Sequence, residues 1–222
     1  PFMGELYAYP QATQQMLEDV FFNAEQWVVD EVSTEFSRVE GAAFVTGDGT
    51  KKPKGFLSYT TAATADSSRA FGTLQHVASG AAADWAASNP QDKLMDLVYS
   101  LKAGFRANAR FVMNKGILGE IRKFKATDGN YIWRPGLEAG QPDTLLGYGI
   151  TEAEDMPAKA ANALAIAFGD FGRGYLIVDR IGTQTLRDPY TNKPYVGFYV
   201  RKRVGGCVVD SEAIKLFKFA AA

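Results

Sequence analysis

Residues 23–57 read NAEQWVVDEVSTEFSRVEGAAFVTGDGTKKPKGFL, and this stretch decides the fold. Trp27, Val28, Val32, Phe36, Val39, Ala43 and Phe44 recur at three- and four-residue steps, the spacing of one face of an α-helix. Glu25, Asp30, Glu31, Glu35, Arg38 and Glu40 fall mostly between them. Asn23 suits an N-cap, and Glu25 suits the positive end of the helix dipole. The spacing predicts one helix over Asn23 to Val45, a rod of roughly 30 Å at about 1.5 Å per residue. Trp27 and Phe36 are expected to pack on closing strands around Phe198 and Tyr199. Gly47-Asp48-Gly49-Thr50 and Pro53 then stop the helix, because glycine and proline extend one only at a cost. The turn is expected to be a rigid helix-to-strand corner. A phosphate-binding loop fails on spacing: the glycines follow a helix, and no Lys-Ser/Thr pair stands at the required distance.

A long acidic helix running into Glu40, Ala43, Phe44, Gly47-Asp48-Gly49-Thr50, Pro53, Gly55 and Phe56 resembles the spine helix of tailed-bacteriophage major capsid proteins, the Hong Kong 97-type shell family. The resemblance continues through almost the whole chain. Residues 102–114 (KAGFRANARFVMN) look like that family's helix-then-strand in the axial domain. Phe168 to Phe171 with Tyr175, Val178, Asp179 and Arg180 resemble a strand returning to the peripheral domain. Arg187-Asp188-Pro189-Tyr190, Arg203-Val204-Gly205-Gly206 and Glu212-Ala213-Ile214-Lys215 resemble its closing strands. Within the family the look is that of prophage and gene-transfer-agent shells.

The remaining composition agrees with a folded, non-catalytic chain. At 222 residues it can bury a sizeable core, and a net charge of −1 gives no global pull toward nucleic acid or membrane. The charge is unevenly spread. Residues 1–50 carry nine acidic side chains against Arg38, whereas residues 101–125 carry seven basic ones against Glu120. That asymmetry suits head-to-tail contact between copies, the bland alternative being solvated faces. A lone cysteine, Cys207, cannot close an intramolecular disulfide, and its apolar setting predicts a buried thiol. No run of about 18 apolar residues exists to span a membrane, and no signal-peptide pattern is visible. The chain opens at Pro1 without an initiator Met, which implies processing or a start inside a longer protein.

In chain order, residues 1–9 predict an extended segment, Gln11 to Val20 a short helix, and residues 58–73 a small, polar loop or hairpin. Ala81 to Ser88 is alanine-rich and predicts a helix. Gln91 to Ala107 predicts a stronger one, with Leu94, Leu97, Val98, Leu101 and Phe105 inward. Arg110 to Asn114 reads as a strand and Lys115 to Phe124 as a helix. Asp128-Gly129 reads as a turn, Tyr131-Ile132-Trp133 as a strand stub, and Pro135-Gly136 as a loop. Leu145 to Ile150 leads toward Met156-Pro157. Ala165 to Phe168 and Tyr175 to Asp179 read as paired strands. Asp188 to Pro194 reads as a turn-rich loop. Tyr195 to Val209 is a long strand with a bulge or bend at Gly205-Gly206, and Ile214 to Phe219 alternates in strand fashion. No repeat or linker is visible.

No motif carries chemistry. His76 is the single histidine, too few for a zinc site. Glu152, Glu154 and Asp155 cluster in a polar stretch, which leaves a soluble hydrolase as a remote reading. No G-x-S-x-G occurs, and the glycine-rich run 168–174 lies between strands rather than opening a dinucleotide-binding helix. Asp170-Phe171-Gly172 copies a kinase tripeptide without the other kinase elements. Hence no catalytic, cofactor or metal residue is expected.

The resemblance implies an α+β capsid fold. Residues 1–13 would return an extended arm, whose partner strand lies upstream. Residues 14–57 and 174–222 would form a peripheral domain with the spine helix, and 58–173 an axial domain. It implies a major capsid protein whose hexamers and pentamers close an icosahedral shell around double-stranded DNA, in a particle assembled in the bacterial cytoplasm. DNA contacts would be weak and non-specific, and portal and decoration proteins are further partners; an encapsulin-like nanocompartment is the alternative. Trp27, Phe36, Asp48, Gly49, Pro53 and Asp188 are the structural residues this implies. Glu5, Glu31 and Glu35 are expected to face Arg173, Arg180, Arg201 and Arg203 of a neighbouring copy.

Overall fold

The computed structural model describes residues 1, 3–19, 23–125 and 144–220. The expectations made for Val20 and for the stretch from Asp128 to Gly136 lie outside the described residues. Along the chain run β1 (Met3–Ala8), β2 (Gln11–Thr13), α1 (Gln14–Asp19), α2 (Ala24–Thr46), β3 (Thr61–Ala62), β4 (Leu74–Ala78), β5 (Gly80–Ala81) and β6 (Asp84–Trp85). Then come α3 (Pro90–Ser100), α4 (Ala103–Arg106), β7 (Arg110–Met113), α5 (Lys115–Arg122), β8 (Thr144–Leu145) and β9 (Tyr148–Glu152). The chain closes with β10 (Leu164–Gly169), α6 (Phe171–Gly174), β11 (Tyr175–Asp188), β12 (Tyr195–Val208) and β13 (Ile214–Lys218). It divides into two compact units, Pro1–Ser58 with Ile177–Cys207, and Tyr59–Leu176 with Val208–Ala222. No helix among the described residues is long and apolar enough to cross a membrane.

The first unit sets α2 beside a sheet in the order β1-β12-β11, with β2 also on β12. The helix forms as one piece, as its spacing predicts. The Asn23 side chain accepts a hydrogen bond from the Gln26 amide at 3.1 Å, which satisfies a donor that helix geometry leaves free. Its buried stripe is narrower than expected. Phe36 is buried, but Trp27 is 49% exposed and Val39 is also exposed, whereas Glu40 is buried. The physical reason is an ion pair: Lys202 Nζ on β12 meets Glu40 Oε2 at 2.8 Å, so a carboxylate occupies a core-facing helix position. That contact also fixes which face of β12 meets the helix. Phe198 shares the Lys202 face, and Tyr199 lies on the other, against Tyr7 and Tyr9 at 6.4 Å each. The expected joint packing of Trp27 and Phe36 against both Phe198 and Tyr199 is therefore corrected. Met3 to Ala8 pairs with Gly205 to Val200 in unbroken register, so the Gly205-Gly206 pair does not interrupt the strand. Gln11 to Thr13 adds a strand to β12, which shortens the helix expected from Gln11.

The second unit is built on a mixed seven-stranded sheet, β3-β4-β13-β10-β7-β9-β8. Strand β13 lies inside the sheet and is buried on both faces, which explains why its alternation does not translate into an exposed side. The core joins Leu94, Leu97, Val98 and Leu101 to Ile117, Leu118 and Ile121 and to Phe111, Phe168 and Phe217 of the sheet. Phe111 and Phe168 stack with centroids 4.5 Å apart. Three expectations are corrected here. Residues 81–88 form no helix: β5 and β6 make a hairpin with Ala83 at φ +60°. Trp85 is drawn against Phe124, Phe217 and Phe219, and burial of that ring overrides alanine's helix propensity. The helix expected over Gln91 to Ala107 breaks at Leu101, whose extended backbone (φ −85°, ψ 132°) delivers its side chain to the core. Strands β10 and β11 do not pair. Asp170 caps the one-turn α6, accepting from the Arg173 amide, and β10 pairs instead with β13 and β7.

Candidate functional site

In the first unit the corner after α2 is assembled from backbone. The Gly55 amide donates to the Gly47 carbonyl at 2.9 Å, and the Lys54 amide donates to the Gly206 carbonyl at 2.9 Å. A Cβ on Gly47 would sit 2.3 Å from the Pro53 carbonyl oxygen, and one on Gly55 2.4 Å from Val45 backbone, so both sites admit only glycine. Asp48 accepts from the Thr50 amide at 2.8 Å, and that bond, with Lys52 nearby, holds its carboxyl below the usual carboxylate range. Gly49 takes φ +82°, and Pro53 is buried. The turn thus serves as a corner, but it leads into a single 3-10 turn, Phe56–Ser58, rather than a strand. Asp188 does similar work between β11 and β12. It accepts from the Thr191 hydroxyl and from the Tyr190 amide at 3.0 Å, and these bonds lower its carboxyl pKa.

The charged residues expected at a subunit boundary are placed as follows. Glu31 and Glu35 lie on the exposed side of α2, and Glu35 is engaged by Arg38, whose Nε sits 2.9 Å from Oε2. Hydrogen bonding by Arg38 lowers the Glu35 pKa. Glu5 stands opposite Arg203 in the β1–β12 register, so a basic neighbour already exists within the same copy. Arg201 donates to Gln184 Oε1 at 3.0 Å and 3.2 Å, and Arg180 is exposed. The Arg203 Nε is buried with no acceptor among the described residues. Arg173 is exposed in the second unit, with its Nε 3.9 Å from Asp170.

The second unit contains two features that the sequence did not announce. The first is a buried ionic clip. Lys215 is fully buried and donates to Asp66 and to Gln75 Oε1 at 2.9 Å, and Arg69 holds the same Asp66 at 2.7 Å. Burial by itself would raise the Asp66 carboxyl, but Lys215 and Arg69 hold it below the usual range. Burial pushes Lys215 down despite its carboxylate. The second is an open dish of about 190 Å³ lined by Met95, Val98, Tyr99, Arg106, Leu146 and Tyr148. No local pattern in residues 58–73 pointed to Asp66, and nothing in the sequence signalled the exposure of Met95, Tyr99 and Leu146.

The hydrolase candidates do not converge. Glu152, Glu154 and Asp155 are all exposed, and Glu154 pairs with Lys115 at 3.0 Å. His76 is buried on β4, and burial, then the charge of Lys218, lowers its pKa. Cys207 is half-buried rather than buried. Among the described residues no cluster of histidine, cysteine and carboxylates has the makings of a metal site.

The phage capsid family model matches residues 2–219. The chain belongs to the phage capsid family. The capsid of an empty GTA (gene transfer agent) particle is 51% identical, with a TM-score of 0.91 over 98% of this chain and 74% of that one. The capsid of the native GTA particle also has 51% identity and a TM-score of 0.91, over 98% and 73%. A structure from Gordonia phage Cozz has 15% identity and a TM-score of 0.60 over 99% of this chain and 71% of its own, a likeness of fold alone. No curated protein sequence matches. The fold is the mixed α+β Hong Kong 97-type capsid fold, and the chain is a major capsid protein, a shell-forming structural protein.

Proposed function

We propose that this capsid protein forms hexamers and pentamers that close an icosahedral shell around double-stranded DNA, in a gene transfer agent, prophage or phage, and that it does so without catalytic activity. The 51% identity to a GTA particle capsid over 98% of the chain carries this reading. The shell is assembled in the bacterial cytoplasm, and it meets DNA through weak, phosphate-directed contacts, since no base-reading motif is present. Portal and decoration proteins are its further partners. No observation favours an encapsulin-like shell. In the proposed division, the unit containing α2 is peripheral and the other axial. The expectation put all of 174–222 in the peripheral part; the proposal moves 208–222 to the axial part, supported by β13 being an interior strand of the second unit's sheet.

Residues 1–13 are proposed to return an extended arm. Glu5, Glu31 and Glu35 are proposed to face Arg173, Arg180, Arg201 and Arg203 of a neighbouring copy. Glu31 and Arg180 lead this set, because Glu35 and Arg201 already have partners in their own subunit. A single rim pair contributes about 0–1 kcal/mol, so such pairs set register and curvature through repetition. The test is Glu31→Lys with Glu35→Lys in the full-length chain, with particle yield read by sedimentation across a salt series and folding by circular dichroism. Loss of closure with folding intact is expected. Normal assembly at every salt concentration would reduce the charge asymmetry to solvated surface.

A further inference from the structure

We propose that β13 is a closing strap: its insertion is the last step in making the second unit, and a new chain stays out of the shell until the strap is in place. The inference rests on the shell reading above and adds a step that controls when a subunit can enter the shell.

Sheet order carries the inference. Strand β13 lies between β4, its parallel neighbour, and β10, its antiparallel neighbour. Among the described residues no other strand joins β3-β4 to β10-β7-β9-β8. Without β13 the sheet is two pieces, whose facing edges stand two strand spacings, roughly 9.6 Å, apart. The strand that joins them follows all the others in sequence. A chain leaving the ribosome N-terminus first therefore presents both pieces before it presents the strap. The first unit, by contrast, draws on nothing beyond Cys207, so its elements are complete while the second unit still lacks its joining strand.

The open pieces are hazardous in a protein that meets many copies of itself. Strand β10 reads LAIAFG, carries no charge and is buried along all but its first residue. As a bare edge it is a template for pairing with a strand of another chain. Filling that edge from within the same chain removes the template before subunits associate.

The buried clip sets the register of the strap. Lys215 stands opposite Gln75, donates to its Oε1 at 2.9 Å, and donates also to Asp66 in the loop between β3 and β4. A slip of one residue would turn Lys215 to the other face of the sheet, away from both acceptors. That seat would leave a buried ammonium without its carboxylate. Backbone bonds fasten both ends. The Asp170 amide donates to the Ala213 carbonyl at 3.0 Å. At the far end the Ser79 amide donates to the Lys218 carbonyl at 2.9 Å, and the Phe219 amide donates to the Ala163 carbonyl at 3.0 Å. These bonds reach both pieces, which is what a strap requires.

The experiment holds the full chain on the ribosome through a linker placed after Ala222. A short linker keeps residues 208–222 inside the exit tunnel, and a long flexible one frees them. Brief proteolysis is expected to cut residues 59–176 at least tenfold faster behind the short linker, with cleavage in residues 1–58 unchanged. A tagged, free full-length chain is expected to draw down the long-linker ribosomes and not the short-linker ones. Lys215→Glu behind the long linker should cut like the short-linker chain. Equal protection of residues 59–176 behind both linkers, or draw-down of the short-linker ribosomes, overturns the proposal and leaves the shell reading standing. If the free chain forms no particles, the shell reading falls and the gate on assembly falls with it, whatever the proteolysis shows.

Discussion

The two units solve the burial problem differently. The second has a sheet whose central strands β13 and β10 are buried on both sides and whose core draws on two helices. The first sets one long helix beside a sheet whose β11 is exposed along nearly its whole length, and its core is correspondingly thin. Trp27, Tyr7, Leu186 and Tyr190 remain exposed there. A monomeric protein seldom leaves so much aromatic surface on one small unit. The contrast teaches that the second unit has the deeper core, whereas the first has a thinner one and leaves more aromatic side chains on its surface.

The largest expected effect tests the self-sufficiency of the second unit. Asp66→Ala leaves Lys215 buried without its carboxylate and should lower stability by about 3–5 kcal/mol in denaturant unfolding. Replacing both, Asp66→Asn with Lys215→Met, should cost less, since the buried Lys215 charge is gone and Arg69 keeps its bonds to the Thr73 and Ser211 carbonyls. Equal losses would show that packing and not the ion pair holds the loop.

Next comes the first unit. Phe36→Ala should cost about 3 kcal/mol, the low end for a buried aromatic because the layer is thin. Trp27→Ala should cost under about 1 kcal/mol in the isolated subunit yet reduce particle yield. Equal destabilisation by the two substitutions would erase the proposed difference between folding and assembly contacts.

The smallest effect concerns pH. Burial depresses the His76 pKa in the folded chain below its unfolded value, so the unfolded chain binds the proton first. Stability from keeping His76 neutral is present above about pH 6.5 and is lost as pH falls through the folded pKa. His76→Leu should flatten that slope in thermal melts between pH 7 and 5. An unchanged slope would assign it to carboxylates.

The helix over residues 24–46, its cap and its terminal corner were legible because each depends on residues close in sequence: 3.6-residue spacing, an asparagine before the first turn, glycines where a Cβ would collide. The strands at 3–8, 110–113 and 195–208 were legible for the same reason. Where the reading failed, a distant partner had decided. Glu40 faces inward because Lys202 arrives from β12, and residues 80–85 form a hairpin because Trp85 is claimed by Phe217 and Phe219. The buried clip links Asp66 to Lys215 across 149 positions, and no local pattern encodes that distance.

The sequence by itself therefore determined the element types along the spine and, through the motif running from Glu40 to Phe56, the family and its shell-forming role. Only the tertiary structure decided which charges are spent inside the subunit and which apolar groups remain on its surface. Periodicity is a property of neighbouring residues, whereas burial and ion pairing are set by whatever the fold brings across from elsewhere in the chain.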